Sequence, residues 1–298
     1  MQKRAQYSNN AFIDESKVII ITGASSGIGK AVSLALVKYK PKLVLVARRK
    51  KKLLHTASLL KKHKIKTLSI VGDVRNRDDR MKIIDLTLKT FGRIDVLINN
   101  AGVGKANLFL EQPEEEIDQL IETNILSLIK MTHSVVPIME QQGEGNIINI
   151  SSSLAMLPVY PFAVYCATKS AVKVFSDSVR QELKNYGISV STVLPGPYKT
   201  EFNKISGLSD KLVNGSEVDK LARNIAHLIT KPKNNLIRPK SFIPLLWITT
   251  RFSSFREKIT FQIAEQINRA RLANLKKLEL EKSLLKEKEK EIIVKVKA

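Results

Sequence analysis

The stretch KVIIITGASSGIG, residues 17–29, constrains the fold more than any other, because an apolar run passes directly into a glycine-rich turn that opens a segment of helical spacing. Val18–Ile21 has no polar face, as befits a strand covered by helices on both sides. Gly23, Gly27 and Gly29 lack Cβ atoms, so the backbone can turn tightly, approach a diphosphate and set its charge near a helix N-terminus. Ser25, Ser26 and Ile28 complete the turn. Such a turn also has a purely steric reading; its place between strand and helix favours a dinucleotide.

The same alternation continues to about residue 196. Candidate strands are KVIIITG, KLVLVAR, KTLSIVGDV, IDVLINNAG, NIINISS and ISVSTVLPG, and Gly29–Tyr39, Arg80–Phe91, Pro113–Met139 and Tyr165–Tyr186 have the apolar spacing of helices. This pattern defines a doubly wound α/β parallel sheet flanked by helices. After Pro195 the alternation stops. Residues 197–215 are polar and read as a mobile segment across the carboxyl edge of the sheet, while 238–252, RPKSFIPLLWITTRF, is apolar with basic flanks. Beyond it Lys, Glu and Leu dominate a charged helical tail. The expected division is a polar arm at 1–15, a catalytic domain at 16–240 with its substrate-loop region at 197–240, and an apolar segment with helical tail at 241–298.

The chain has 298 residues, 43% of them hydrophobic, which is enough for one large core. Its formal charge of +22 favours polyanions: nucleic acid, an anionic membrane surface or phosphorylated small molecules. No zinc-finger spacing or RNA-binding motif accompanies the lysines, so nucleic acid is disfavoured. The lone Cys166 allows no intramolecular disulfide and no cysteine metal cluster, so a reducing, cytoplasmic setting is expected and no metal. The opening MQKRAQYSNNAFIDES has no apolar core of signal-peptide length, and no apolar run is long enough to span a bilayer.

The chemistry-bearing residues fall at the carboxyl ends of successive strands, where open α/β sheets bind ligands. Arg48 and Arg49 end the second strand, where an NAD-binding chain would place a ribose-binding acid. A guanidinium fork suits a phosphate and no carboxylate adjoins it in sequence, so NADP(H) is the expected cofactor. Asp73 and Val74 end the third strand at the expected adenine site, and Asn99, Asn100, Ala101 and Gly102 end the fourth with small groups that admit a flat cofactor. Ser151, Ser152 and Ser153 end the fifth. Tyr165 and Lys169 follow four residues apart, on one helical face, where an ammonium would lower the phenol pKa and make Tyr165 a general acid and base. A strand-end serine would stabilise charge on the same substrate oxygen.

This ordered set, TGxxxGxG at 22–29, NNAG at 99–102, Asn124, a serine at 152, YxxxK at 165–169 and Pro195-Gly196, resembles the short-chain dehydrogenase/reductase family over roughly residues 15–205. The resemblance implies a Rossmann-type α/β sheet of seven parallel strands and hydride transfer between a nicotinamide and a carbonyl or alcohol. It implies that Tyr165 protonates the carbonyl oxygen and Ser152 polarises it. Lys169 would lower the tyrosine pKa and bind the nicotinamide ribose, and Asn124 would hold a water leading to Lys169. The usual spacing selects Ser152, with Ser153 the runner-up and Ser151 packing at the strand end. Pro195 and Gly196 would turn the chain around the nicotinamide, and Thr200 would meet its carboxamide. ISSSLAMLPV further resembles ketoreductases acting on long acyl chains or steroids.

The expected substrate is therefore a small hydrophobic ketone or alcohol: 3-oxoacyl, steroid-like or sphingoid. The family also leads one to expect a homo-oligomer, a dimer or tetramer. The competing class is a dinucleotide-binding regulatory protein whose basic surface contacts membrane or nucleic acid. Three readings stand for FIPLLWITTRF: a wall of the substrate pocket, a dimer contact, or a peripheral membrane contact through 238–252. Cys166 lies about 100° around the helix from Tyr165 and reads as a core thiol. In the tail, Leu278, Leu285 and Ile292 recur at heptad spacing, but a solvated helix is the better reading than a coiled coil, and IIVKVKA has no assigned role.

Overall fold

Each apolar run is long enough to cross a sheet once; the central runs are buried on both faces against different helices, while those at the two edges are only partly covered. The computed structural model describes residues 13–198, 200–202, 218–252, 254–273 and 275–276. The strands are β1 (Val18–Thr22), β2 (Lys42–Ala47), β3 (Thr67–Val71), β4 (Val96–Asn99), β5 (Gly145–Ile150), β6 (Ile188–Pro195) and β7 (Asn235–Arg238). They form one parallel sheet in the order β3-β2-β1-β4-β5-β6-β7. The direction of progression reverses between β1 and β4, which opens a crevice at their carboxyl ends.

Alternate strand residues supply two cores. Ile19, Ile21, Leu43 and Leu45 pack on one face with Val32 of α1 (Gly27–Ala35) and Ile225 of α7 (Val218–Thr230). Val18, Ile20, Val44 and Val46 pack on the other with Ile83 of α3 (Arg77–Phe91) and Val135 of α5 (Ser127–Gln142). Asn76 caps α3: its side-chain oxygen accepts from Asp78 N at 2.7 Å and Asp79 N at 3.2 Å.

Several elements depart from the expected pattern. A helix absent from the sequence reading, α2 (Lys50–Lys62), buries only Leu53, Thr56 and Leu60 beneath a lysine-rich outer face. The alternation does not stop after Pro195: α7 and β7 continue it, and β7 pairs with the carboxyl half of β6. The helix expected over Pro113–Met139 is α4 (Glu114–Ile121), a π-helical turn at Glu122–Leu126, and α5. The remaining helices are α6 (Ala163–Leu183), α8 (Phe242–Arg251) and α9 (residues 254–273). Most of the expected mobile segment at 197–215 and the heptad positions of the tail lie outside the described residues. Among the described residues no helix is long and apolar enough to cross a membrane.

Candidate active site

The polar residues at the strand ends first hold the crevice in shape. Thr22 Oγ1 accepts from the backbone N–H groups of Asn100 and Ala101, each at 3.0 Å, and so ties β1 to the NNAG segment. The Asn100 amide donates to Thr22 O at 2.9 Å and Gly23 O at 3.2 Å. A Cβ on Gly23 would stand 2.8 Å from that amide nitrogen, and one on Gly29 would stand 2.6 Å from it. These two glycines are thus required by packing, whereas a Cβ on Gly27 would make an ordinary contact of 3.5 Å with Thr200, and it is the positive φ of +53° that favours glycine there. The turn leaves its outer side open, a cradle that suits a diphosphate.

Helix α6, which carries Tyr165 and Lys169, is docked to the sheet by buried polar groups. Asn99 Nδ2 donates to Asn149 Oδ1 at 2.9 Å, and Asn149 Nδ2 donates to Ser176 Oγ on α6 at 2.9 Å. Ser151 Oγ donates to Lys169 O at 2.7 Å, a strand-end anchoring role as expected. Tyr165 and Lys169 are both buried, and Lys169 Nζ donates to Ile150 O at 3.0 Å. Ser152 Oγ accepts from Leu154 N at 3.1 Å and lies near enough to the Tyr165 phenol to pull its pKa down. Ser152 therefore stands beside the phenol, while Ser153 begins a 3₁₀ turn.

Electrostatics reverse one expectation. Burial raises the Tyr165 pKa above its ordinary value, and the opposing influence of the Ser152 hydroxyl does not overcome it. Lys169 was expected to lower it, but burial weakens that lever by pushing the ammonium itself down to about 8. Its nitrogen lies 5.8 Å from the centre of the tyrosine ring. In this chain the phenol is the proton-bearing form at neutral pH.

Asn124 sits in the π turn, where Ser127 N–H reaches back to Glu122 O. Its amide oxygen accepts from Val103 N at 2.9 Å, and its amide nitrogen donates to Val103 O at 2.9 Å and Thr168 Oγ1 at 3.1 Å. A Cβ on Gly102 would lie 3.2 Å from Asn124 Oδ1 and 3.4 Å from Lys169 Nζ, so this glycine seats between them.

One cavity of about 570 Å³ joins these groups. The residues nominated from sequence line it except Gly29, which packs behind the turn, Asn124, which stands behind Gly102, and Thr22 and Asn99, which are buried in strand-end hydrogen bonds. One half holds the glycine turn, Arg48, Arg49, Asp73 and Val74, and the other is walled by apolar side chains. That wall includes residues the sequence reading missed: Phe202, and Ile263 and Ile267 on α9. Phe242 and Leu245 on the inner side of α8 also line it, so FIPLLWITTRF provides pocket wall. Helix α9 is held by Arg271, which donates to Glu111 Oε2 at 2.6 Å, and by Glu265, which accepts from the Tyr160 hydroxyl. Cys166 is buried among Tyr165, Phe162 and Ala264 in a packed cluster, consistent with a core thiol.

The two arginines part company. Arg48 leans 3.5 Å from Asp73, whose carboxylate Arg75 also holds at 2.8 Å; these hydrogen bonds and charges keep the Asp73 pKa low despite its burial. Arg49 turns to the glycine-rich loop, donating to Ser26 Oγ at 2.5 Å and Ser25 Oγ at 3.2 Å. It also meets Glu201 at 2.9 Å. No carboxylate adjoins these arginines in sequence, yet the fold brings one to each.

A doubly wound sheet with a glycine turn at its switch point, and a serine, tyrosine and lysine gathered along the same crevice, defines a dinucleotide-dependent oxidoreductase. The family model described as short chain dehydrogenase matches residues 17–209, and the chain belongs to that family. An uncharacterized oxidoreductase of Listeria monocytogenes is 34% identical over 231 residues, covering 74% of this chain and 93% of its own. A short-chain dehydrogenase from Sphingobium yanoikuyae, solved in complex with NADPH, superimposes with a TM-score of 0.72 at 31% identity over 79% of this chain and 93% of its own. A 3-ketoacyl-(acyl-carrier-protein) reductase from Brucella melitensis, complexed with NADH, gives 0.69 at 26% identity over 75% and 97%.

Proposed function

We propose that this oxidoreductase uses NADPH to reduce the carbonyl of a hydrophobic ketone or 3-oxoacyl compound. Arg49, at the N-terminus of α2, and Lys52 in its first turn supply cations beyond β2, and the glycine turn with Asn100–Gly102 supplies an open backbone surface for the dinucleotide. A bound nicotinamide would supply the hydride. The chain's own contribution is the proton and the orientation of the oxygen: Tyr165 holds a proton on its phenol, and Ser152, lining the same cavity beside it, meets the same substrate oxygen. Lys169 offers its charge to the phenolate formed as the proton leaves. Asn124 commits its side chain to Val103 and Thr168, so its water-holding role falls to the main chain of the widened turn.

The observation that carries the reading is the gathering of Ser152, Tyr165 and Lys169 on one cavity that joins the glycine turn to an apolar wall. The Sphingobium relative's NADPH and the Brucella relative's 3-ketoacyl activity point the same way. The test is a carbonyl panel followed by NADPH absorbance. Tyr165→Phe should lower kcat by about 10²–10⁴-fold while dinucleotide binding persists. Full turnover in that variant would refute the mechanism.

A second feature supports contact with an anionic membrane surface through 238–252. The inner side of α8 lines the cavity, yet its outer side exposes Ile243 and, at 66%, Trp247, with Phe252 exposed just beyond. Lys240 and Arg251 flank this face, a pairing suited to a lipid headgroup boundary. The protein should sediment with phosphatidylglycerol vesicles and not with phosphatidylcholine alone, and Trp247→Ser should weaken the binding. Equal recovery with both lipids would count against it.

A further inference from the structure

Thr200, Glu201 and Phe202 reach three parts of the site from consecutive positions. Thr200 faces Gly27 of the glycine turn. Phe202 lies against the Tyr165 ring, with centroids 5.7 Å apart, and covers Gly104 so closely that no Cβ would fit there. Between them, the Glu201 carboxylate is held at both oxygens: Arg49 donates to Oε2 at 2.9 Å and Lys52 to Oε1 at 2.6 Å. These hydrogen bonds, that of Lys52 foremost, keep Glu201 below its ordinary pKa, so it is an anion at neutral pH.

The arrangement resembles a phosphate site with a carboxylate in it. Two cations converge on one anion, and the same Arg49 guanidinium bonds Ser25 and Ser26 at the mouth of the glycine turn. Glu201 is 152 residues from Arg49 in sequence, so the pair is made by the fold. If the cofactor carries a 2′-phosphate, as the NADPH reading above holds, that phosphate needs the donors Glu201 already occupies. A dinucleotide without the phosphate makes no such demand.

We infer that Glu201 is an internal competitor for the 2′-phosphate, a specificity residue that sets how strongly Arg49 and Lys52 discriminate between the two nicotinamide cofactors. Its release moves the segment bearing Thr200 and Phe202, so the adenosine end of the site communicates with the wall beside Tyr165.

The test is calorimetric titration of the full chain with NADPH, NADH and 2′,5′-ADP, comparing wild type with Glu201→Gln, Arg49→Gln and, as a charge control remote in sequence, Glu140→Gln. Glu201→Gln should tighten NADPH and 2′,5′-ADP by about three- to tenfold, the range for two exposed ion pairs, and leave NADH within about twofold. Glu140→Gln should change neither. Equal tightening of all ligands by both variants would make the effect one of net charge and overturn the inference. Loss of NADH affinity without gain for NADPH would assign Glu201 to ribose hydroxyls and overturn it as well. Failure of the cofactor reading looks different: wild type would favour NADH, Arg49→Gln would have no effect, and both ideas would fall. In a Trp247→Phe, Phe202→Trp chain, 2′,5′-ADP should shift the emission, and adding Glu201→Gln should abolish most of that shift; an unchanged shift would refute the coupling.

Discussion

Lys169 is an expensive residue, and its cost can be measured. Its ammonium is buried with a carbonyl, Ile150 O, at 3.0 Å, and burial lowers its pKa from 10.5 to about 8. At about 1.4 kcal/mol for each pH unit, the folded state near pH 7 gives up about 3 kcal/mol relative to a chain free to protonate this amine. Lys169→Met keeps an unbranched side chain of similar length and removes the charge. It also leaves Ile150 O without that donor, a loss of about 1 kcal/mol, so the net gain should be about 2 kcal/mol. That corresponds to a rise in Tm of about 4–8 °C. The sign fixes the pH dependence: between about 8 and 10.5 the unfolded chain binds the proton and the folded chain does not, so wild-type stability rises with pH across this window. At pH 9.5 only about 1.4 kcal/mol of the burial cost remains, and the advantage of Met should nearly vanish. Urea unfolding of both proteins without dinucleotide, at pH 7 and pH 9.5, measures this. A Met variant less stable at pH 7, or a gap that does not shrink with pH, would refute the reasoning. The same variant should lose carbonyl reduction.

The serine triplet gives a sharp comparison: Ser152→Ala, which removes the hydroxyl beside Tyr165, should lower kcat about 10²-fold, while Ser153→Ala stays within about fivefold in the NADPH-linked assay. Ile263→Ala and Ile267→Ala should raise KM for the longest accepted alkyl ketone by about fourfold for each methylene of the ketone that the shortened wall leaves in water, with kcat for a short ketone little changed. Gly187 and Gly143 share a φ of +72°, but a Cβ on Gly187 would stand 2.3 Å from Gly143 O and one on Gly143 meets nothing within 4 Å. Gly143→Ala should therefore cost about 1–2 kcal/mol and Gly187→Ala distinctly more, read by thermal unfolding.

Local pattern made most strands and the site motifs legible. KVIIITG and NNAG carry their meaning in neighbouring residues, since an apolar run, a residue able to adopt positive φ and a small residue at a strand end act within a few positions. Helix α2 was hidden because its sequence, KKKLLHTASLLKK, buries only a narrow stripe, and β7 because NLIR is four residues with one fully buried side chain. The π turn has no sequence signature, being a matter of backbone hydrogen-bond register. Glu201 at Arg49, and Ile263 and Ile267 at the cavity, are products of long-range closure: nothing near Arg49 in sequence announces an acid 152 residues away.

The pKa reversal follows from the same distinction. A spacing of four residues correctly puts Tyr165 and Lys169 on one helical face, but it carries no information about dielectric, and the fold buries both. Burial then acts on each in the direction of neutrality. What resists it is orientation: Ser151 holds the backbone of Lys169, and the Asn99–Asn149–Ser176 chain fixes α6 against the sheet by directional bonds. Apolar contacts alone would let the helix slide or rotate at little cost, whereas a slip would strand several buried polar groups at once. The burial that raises the phenol pKa therefore also enforces the register that brings Ser152, Tyr165 and Lys169 to one place.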